Sequence, residues 1–310
     1  MPVTRMQRRV SFVQTHLPWR VLLGKRVVRR HVQGVDLFLP WAHPLPDFAG
    51  SRPWYGQNLI ALAKALHVAD DGAEPMAVLD VGANIGDSAA QIIAATGAQV
   101  LCVEGDRYWV DFLRRNLEAD ARATIEEVLL VPDGTASGTA SPVRHGGTTR
   151  FAEGGVGEDA MPTMTVGALR DAHPEFARLR LVKSDTDGYD PALVPAVAEA
   201  WADASPVLFF EFDPILAKAA GNRDPNALWG ALEDLGYEHL ALWDNTGDPL
   251  GRLSIAEAPK AAASLEPRPV HRGYDFWDVA ACRADDGAAV AALETLVPEP
   301  YAVEGTWRLR

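Results

Sequence analysis

Cysteine is scarce in this chain, with Cys102 and Cys282 the only two in 310 residues. Two thiols make neither a disulfide framework nor a cysteine-based metal cluster. Each lies in an apolar, strand-like run, where a cysteine behaves as a small core residue. No apolar run approaches the ~20 residues of a membrane span. The N-terminus does not read as a secretory leader, because Arg20, Lys25 and Arg26 interrupt its apolar stretches and no small-residue cleavage site follows. A cytoplasmic location is the expectation. Positive charge is also short: 29 Lys and Arg face 42 Asp and Glu, for a net charge of −13. Nucleic-acid binding needs a basic footprint, so that class of partner is disfavoured. The eight histidines show no metal-ligand spacing.

The basic residues that do exist are unevenly placed. Arg5, Arg8, Arg9, Arg20, Lys25, Arg26, Arg29 and Arg30 fall in the first thirty residues, which hold no acid. This arm is a solvated helix or a subunit contact, with an anionic partner or a membrane surface as the alternative; homo-oligomerisation is left open. A chain that is 48% hydrophobic and 23% charged suits one large globular domain with appendages. Arginine over lysine and abundant alanine suggest a GC-rich bacterial coding sequence.

Along the chain, residues 26–39 read as two short strands around Gln33-Gly34, and 58–67 as an amphipathic helix. From residue 76 strand and helix alternate: strands over 76–81, 99–103, 124–131, 179–183 and 207–212, with helices over 88–96, 107–118, 165–172 and 191–200. Gly97 is a helix C-cap and Asp106 an N-cap. Residues 132–162 are too long for a structureless loop in a compact domain and should hold a hairpin or a lid. A helix opened by Asp224-Pro225 precedes final strands at 237–243 and 274–281, and a helical tail follows Asp286. Alternation of this kind gives a doubly wound, mostly parallel α/β sheet. The expected division is an appendage over 1–55, a main domain over 56–285 and a tail over 286–310.

Ligands of such sheets bind at the carboxyl ends of the strands. The first strand ends at Asp80 and runs into Gly82-Ala83-Asn84-Ile85-Gly86. The second ends at Glu104, placed where an acid can accept hydrogen bonds from ribose hydroxyls. The dinucleotide pattern Gly-x-Gly-x-x-Gly is missing, which disfavours a nucleotide-dependent oxidoreductase. Asp80 before the loop repels phosphate and suits a cationic ligand. A ribose-bearing, phosphate-free, positively charged cofactor is S-adenosylmethionine.

Asp80-Val-Gly-Ala-Asn-Ile-Gly, then Val103-Glu104, then Lys183-Ser-Asp185-Thr-Asp187-Gly188-Tyr, then Phe210-Glu211-Phe-Asp-Pro214 and Leu235-Gly236-Tyr237 appear in order over about residues 50–245. In this the chain resembles the FkbM family of S-adenosylmethionine-dependent methyltransferases. The resemblance implies a Rossmann-like methyltransferase sheet with an antiparallel final strand, and O-methylation of a sugar, polyketide or other secondary metabolite. It implies that Asp80, Gly82, Asn84 and Gly86 surround the methionine end of the cofactor, that Glu104 holds the ribose, and that Asp133 lies at the adenine edge. The chain departs from the family at Ser184, where Ile or Val is usual, and at Asp190, where Glu is usual. The third-strand end, Val131-Pro132-Asp133, is atypical as well.

Strand alternation places Lys183, Asp185 and Asp187 on one side of the fourth strand if it persists. Asp185 is the first candidate to accept the acceptor's proton, followed by Asp187 and then Glu211, with Lys183 beside them. The competing reading makes Lys183–Asp185 a structural pair and Asp190 a helix-start acid. Asp185, Asp187, Glu211 and Asp213 could also supply oxygen ligands to Mg²⁺, the minority alternative to a metal-free site. His43 and His145 lie in substrate-side loops. Trp41, Trp54 and Tyr55 are candidates for the wall around a small-molecule or glycan acceptor. A methyltransferase-fold binding protein without chemistry is the remaining alternative.

Overall fold

The computed structural model describes residues 26–52, 54–70, 75–135, 138–145, 148–153, 160–265 and 276–301. The basic residues before Arg26, His271 and the start of the expected strand at 274–281 lie outside the described residues, as does the side chain of His145.

An antiparallel hairpin comes first, β1 Val27–Val32 and β2 Val35–Pro40. Its turn residues Gln33 and Gly34 have φ of 47° and 92°, as a tight two-residue hairpin turn requires. Two helices follow, α1 Leu45–Ser51 and α2 Gln57–Ala69. The alternating core then runs β3 Ala77–Val81, α3 Asp87–Thr96, β4 Gln99–Val103, α4 Arg107–Leu117 and β5 Ala123–Glu126. Gly97 closes α3 at φ 73°, and the Asp106 side chain accepts from the Tyr108 N–H to cap α4.

The expected strand over 124–131 is two strands. β5 stays in the main sheet, and β6 Leu129–Val131 leaves it for a four-stranded sheet with β7 Thr139–His145, β8 Thr148–Glu153 and β9 Met161–Thr165. The 132–162 stretch thus carries the β7–β8 hairpin. After it come α5 Val166–Ala172, β10 Leu179–Ser184, α6 Asp190–Ala200, β11 Val207–Phe212, α7 Pro214–Ala219 and α8 Ala227–Asp234. The chain ends with β12 Tyr237–Asp244, β13 Pro249–Ser254, α9 Ala258–Ala262, β14 Trp277–Arg283 and α10 Gly287–Leu296.

The main sheet has eight strands in the order β13-β12-β14-β11-β10-β3-β4-β5. β11, β10, β3, β4 and β5 are parallel, and β14 runs antiparallel between β11 and β12. Alternation sends successive side chains into two cores. Val78, Val100 and Leu181 face α2, α3 and α10, while Leu79, Leu101 and Val182 face α6 and α8. Burial on both faces is why these strands read as unbroken apolar runs. Helix α10 contributes Ala289, Ala292 and Leu293 to the first of these cores. The β1–β2 hairpin docks through Val32, Leu37 and Leu39 onto Trp109 and Phe112 of α4. Asn116 pins it: its Oδ1 accepts from the Phe38 N–H at 2.7 Å, and its Nδ2 donates to the Phe38 and Ile85 carbonyls.

Candidate active site

The carboxyl ends of β3, β4 and β10 converge on the loop from Gly82 to Gly86. Gly82, Asn84 and Gly86 all have positive φ, at 73°, 51° and 83°. Gly82 is forced by contact as well as by φ: a Cβ there would sit 2.0 Å from the Asp185 carbonyl oxygen. The Gly82 and Ala83 N–H groups donate to the Val103 carbonyl, and the Asp185 N–H donates to the Val81 carbonyl. The three strand ends are therefore laced together by backbone alone.

Beneath the loop, Asp80 is fully buried and Lys183 is 5% exposed. They stand opposite each other on β3 and β10, with Lys183 Nζ 3.0 Å from Asp80 Oδ1. The same ammonium donates to the Gly82 carbonyl at 2.8 Å and lies 3.9 Å from Asp185 Oδ2. Burial alone would pull the Lys183 pKa down, but Asp80 and Asp185 outweigh it and hold the group above the ordinary lysine range. A lysine so placed is favoured in its charged form and ties the loop to Asp80. Of the two readings of Lys183, the structural one matches this geometry.

Glu104 is buried, and both its oxygens are used. Oε2 accepts from the Asn84 N–H at 2.7 Å and Oε1 from the Asp106 N–H at 2.8 Å. Burial pushes its pKa up to about 7, against the two backbone donors that favour the charged form. Each carboxylate oxygen keeps a second lone pair, so Glu104 can still accept from a ligand.

Two clefts open on either side of this loop. The first has about 560 Å³ of empty space and is lined by Glu104, Gly105 and an apolar slot of Trp109, Val128, Leu129, Leu130 and Leu193. The second, about 1620 Å³, has His43, Tyr55, Asn58, Asp87, Glu211 and Asp278 in its lining. Gly82, Asn84, Asp185 and Asp187 border both. The sequence-derived residues Asp185, Asp187 and Glu211 are thus brought together with the Gly82 loop and Glu104. Asp187 holds φ 53°, a conformation that costs a non-glycine residue about 1–3 kcal/mol and clusters at functional sites.

Other candidates stand elsewhere. Asp133 is exposed, accepts from the Gly167 N–H at 3.1 Å, and lines neither cleft. The apolar slot of the first cleft is walled in part by 128–130. Asp213 caps α7, accepting from the Ile215 and Leu216 N–H groups. Among the described residues no three His, Cys, Asp or Glu are grouped to hold a metal ion. Tyr55 lines the larger cleft; Trp41 and Trp54 line neither, and Trp54 is 61% exposed. His43 does line it, but burial lowers its pKa to about 4, and its Nδ1 faces the Leu45 N–H at 3.3 Å. Its ring is neutral there and fits a donor role through Nε2 better than a base.

Ser184 and Asp190 are bonded to each other. Ser184 Oγ donates to Asp190 Oδ1 at 2.7 Å, and the Thr186 N–H donates to Asp190 Oδ2 at 3.2 Å. Together they brace the turn that carries Asp185 and Asp187.

Sequence reasoning missed Asp278 and Asn58. Asp278 lies on β14 directly opposite Glu211 of β11, and its Oδ2 accepts from Asn58 Nδ2 at 2.7 Å. The signal was present as one acid inside the apolar run Trp277–Ala281. The neighbour that gives it meaning is 67 residues away on another strand.

No family model matches the chain, and a search of curated proteins also gives no match. Among solved structures it is similar to P. horikoshii TYW2 in complex with MeSAdo, at 11% identity and TM-score 0.42, covering 84% of this chain and 73% of that one. It is also similar to precorrin-6y C5,15-methyltransferase from Geobacter metallireducens GS-15, at 11% identity and TM-score 0.37, covering 73% and 86%. A third is the METTL16 methyltransferase domain, at 12% identity and TM-score 0.38, covering 72% and 65%.

Proposed function

We propose that this chain is an S-adenosylmethionine-dependent methyltransferase of the FkbM type, which methylates a hydroxyl on a small metabolite or sugar. The observation that carries the reading is the meeting of two clefts at Gly82, Asn84, Asp185 and Asp187. One cleft has the acid and apolar slot that suit a ribose and a base; the other has room for an acceptor. The residues fit the cofactor: Glu104 presents buried lone pairs at the cleft, beside the backbone of Gly82 and Asn84.

When bound, the cofactor supplies an electrophilic methyl group on a sulfonium. Gly82 and Asn84 would hold its methionine end, Glu104 its ribose, and Trp109, Val128, Leu129 and Leu130 its base. Asp185 and Asp187, at the border, would orient the acceptor hydroxyl. Alignment of this kind is worth up to about 7–11 kcal/mol of barrier in favourable cases. The net charge of −13 and the acid-lined larger cleft favour a neutral or cationic small acceptor over nucleic acid.

Titration calorimetry with S-adenosylmethionine, S-adenosylhomocysteine and NAD tests this. The first two should bind and NAD should not; binding of NAD alone would overturn the reading.

A further inference from the structure

The larger cleft holds a pair of acids that the loop chemistry does not explain. Glu211 and Asp278 are in direct register on neighbouring antiparallel strands. Residues so placed have Cβ atoms only about 4.5–5.5 Å apart and side chains on the same face. Both line the larger cleft. The cation in reach, Lys183, is already held by Asp80 and the Gly82 carbonyl. Two carboxylates this close without a counter-ion do not both ionise near neutrality.

We propose that Glu211 and Asp278 share one proton, that Asn58 makes Asp278 the ionised member, and that Asp278 takes the proton of the acceptor hydroxyl. The assignment within the pair follows from donors. Asn58 Nδ2 donates to Asp278 at 2.7 Å, which favours the charged form, whereas Glu211 faces Asp185 and Asp278. The groups facing Asp278 are Glu211 on β11, Lys183 on β10 and Asp185 in the turn after it, Asp244 on β12, and Asn58 on α2, with Tyr55 before that helix. Burial, opposed by Asn58 and reinforced by Asp185 and Asp244, sets Asp278 near a pKa of about 7. Burial and the surrounding acids push Glu211 well above the ordinary carboxylate range. The pair is therefore poised to exchange a proton in the range where a general base works best.

This role rests on the methyl-transfer reading. The acceptor's O–H bond breaks as its oxygen forms a C–O bond to the methyl carbon of a sulfonium donor. The electron pair of the broken C–S bond leaves on sulfur, and the proton ends on Asp278, so the pair goes from one proton to two. Asp185 then orients the hydroxyl and does not receive its proton.

Infrared titration of the ligand-free protein from pH 5 to 9 tests the pair without any cofactor. Protonated-carboxyl intensity at pH 7 should fall by one group in Glu211→Gln, with the contribution of Glu104 fixed by a Glu104→Gln control. The intensity that grows as pH falls through about 7 should fall by one group in Asp278→Asn. No loss of intensity in Glu211→Gln relative to the control would overturn the pair. The catalytic role is read as S-adenosylhomocysteine release with methyl glucoside, glucosamine and glycerol. Asp278→Asn should leave S-adenosylhomocysteine affinity within about two-fold, lower kcat by roughly 10²-fold or more, and abolish the acid limb of kcat/KM. Asn58→Ala should move that limb to higher pH, a shift that a purely structural role would not give. Wild-type kcat and pH profile in Asp278→Asn would overturn the role. If wild type binds no S-adenosylhomocysteine, or turns over none of these alcohols, the methyl-transfer reading fails and the role with it, while the infrared result still decides the pair.

Discussion

Replacing Gly82 by alanine separates two costs that are usually confounded. Any non-glycine residue at φ 73° carries a left-handed penalty of about 1–2 kcal/mol. At Gly82 the new Cβ also meets the Asp185 carbonyl oxygen at 2.0 Å and its carbon at 3.0 Å. Both are backbone atoms, so no rotamer change relieves the overlap, and one strand end must move. Overpacking of this sort costs about 1–3 kcal/mol more. Gly97 is the matched control: it has the same φ of 73° and nothing within 4 Å of its Cβ position. Urea unfolding should therefore show Gly82→Ala destabilised by about 1–3 kcal/mol more than Gly97→Ala, a large part of a typical domain's stability. Calorimetry with S-adenosylhomocysteine should show weakened binding for Gly82→Ala and unchanged binding for Gly97→Ala. Equal unfolding costs for the two variants would refute the claim that the loop is built against the Asp185 backbone.

Lys183→Met should cost about 3–5 kcal/mol in urea unfolding, because it leaves Asp80 charged and fully buried without its partner; a variant with normal stability and cofactor binding but no turnover would return Lys183 to the catalytic group. Ser184→Val should cost about 1–3 kcal/mol by stranding Asp190 Oδ1, and much less in an Asp190→Asn background, measured as a double-mutant cycle. Burial raises the Asp190 pKa from 3.8 to about 6, so the folded protein binds the proton more tightly, and this contribution to stability is lost as pH rises from about 4 to about 6. Asp190→Asn should remove about 3 kcal/mol of that fall, read as a smaller drop in urea midpoint between pH 4 and 7. Glu104→Ala should weaken S-adenosylhomocysteine binding by about 1–3 kcal/mol and also lower stability, since the Asn84 and Asp106 N–H groups lose their acceptor; unchanged affinity would remove Glu104 from the ribose role.

Most of the parallel half of the fold was legible because its signals are local. Residues 99–103 and 207–212 are apolar runs that end at acids, and both are strands with those bounds. Gln33-Gly34, Gly97 and Asp106 punctuate as read, since positive φ and side-chain capping are properties of single residues. Reading failed where the partner of a strand decides its fate. Residues 124–131 read as one strand with Glu126 and Glu127 inside it, yet the chain splits them between two sheets, with 127–128 as the break. α7 and β13 are short and weakly patterned, and β13 forms as the second strand of a hairpin with β12.

The candidate site divides along the same line. Asp80, Gly82, Glu104, Asp185 and Asp187 could be found because each closes a strand whose end the sequence marks. Their roles could not, because charge depends on neighbours. Lys183 and Asp185 look equivalent as polar residues after an apolar run, but one is buried against Asp80 and touches only the larger cleft, while the other opens on both clefts. Asp278 shows the limit most clearly. In sequence it is a lone acid in an apolar strand, which reads as a solvated position. Insertion of that strand antiparallel beside β11 sets it opposite Glu211 and under Asn58, residues 67 and 220 positions away. An acid's protonation state is fixed by such cross-strand geometry, so the proton chemistry of this cleft emerges only when the antiparallel strand is in place.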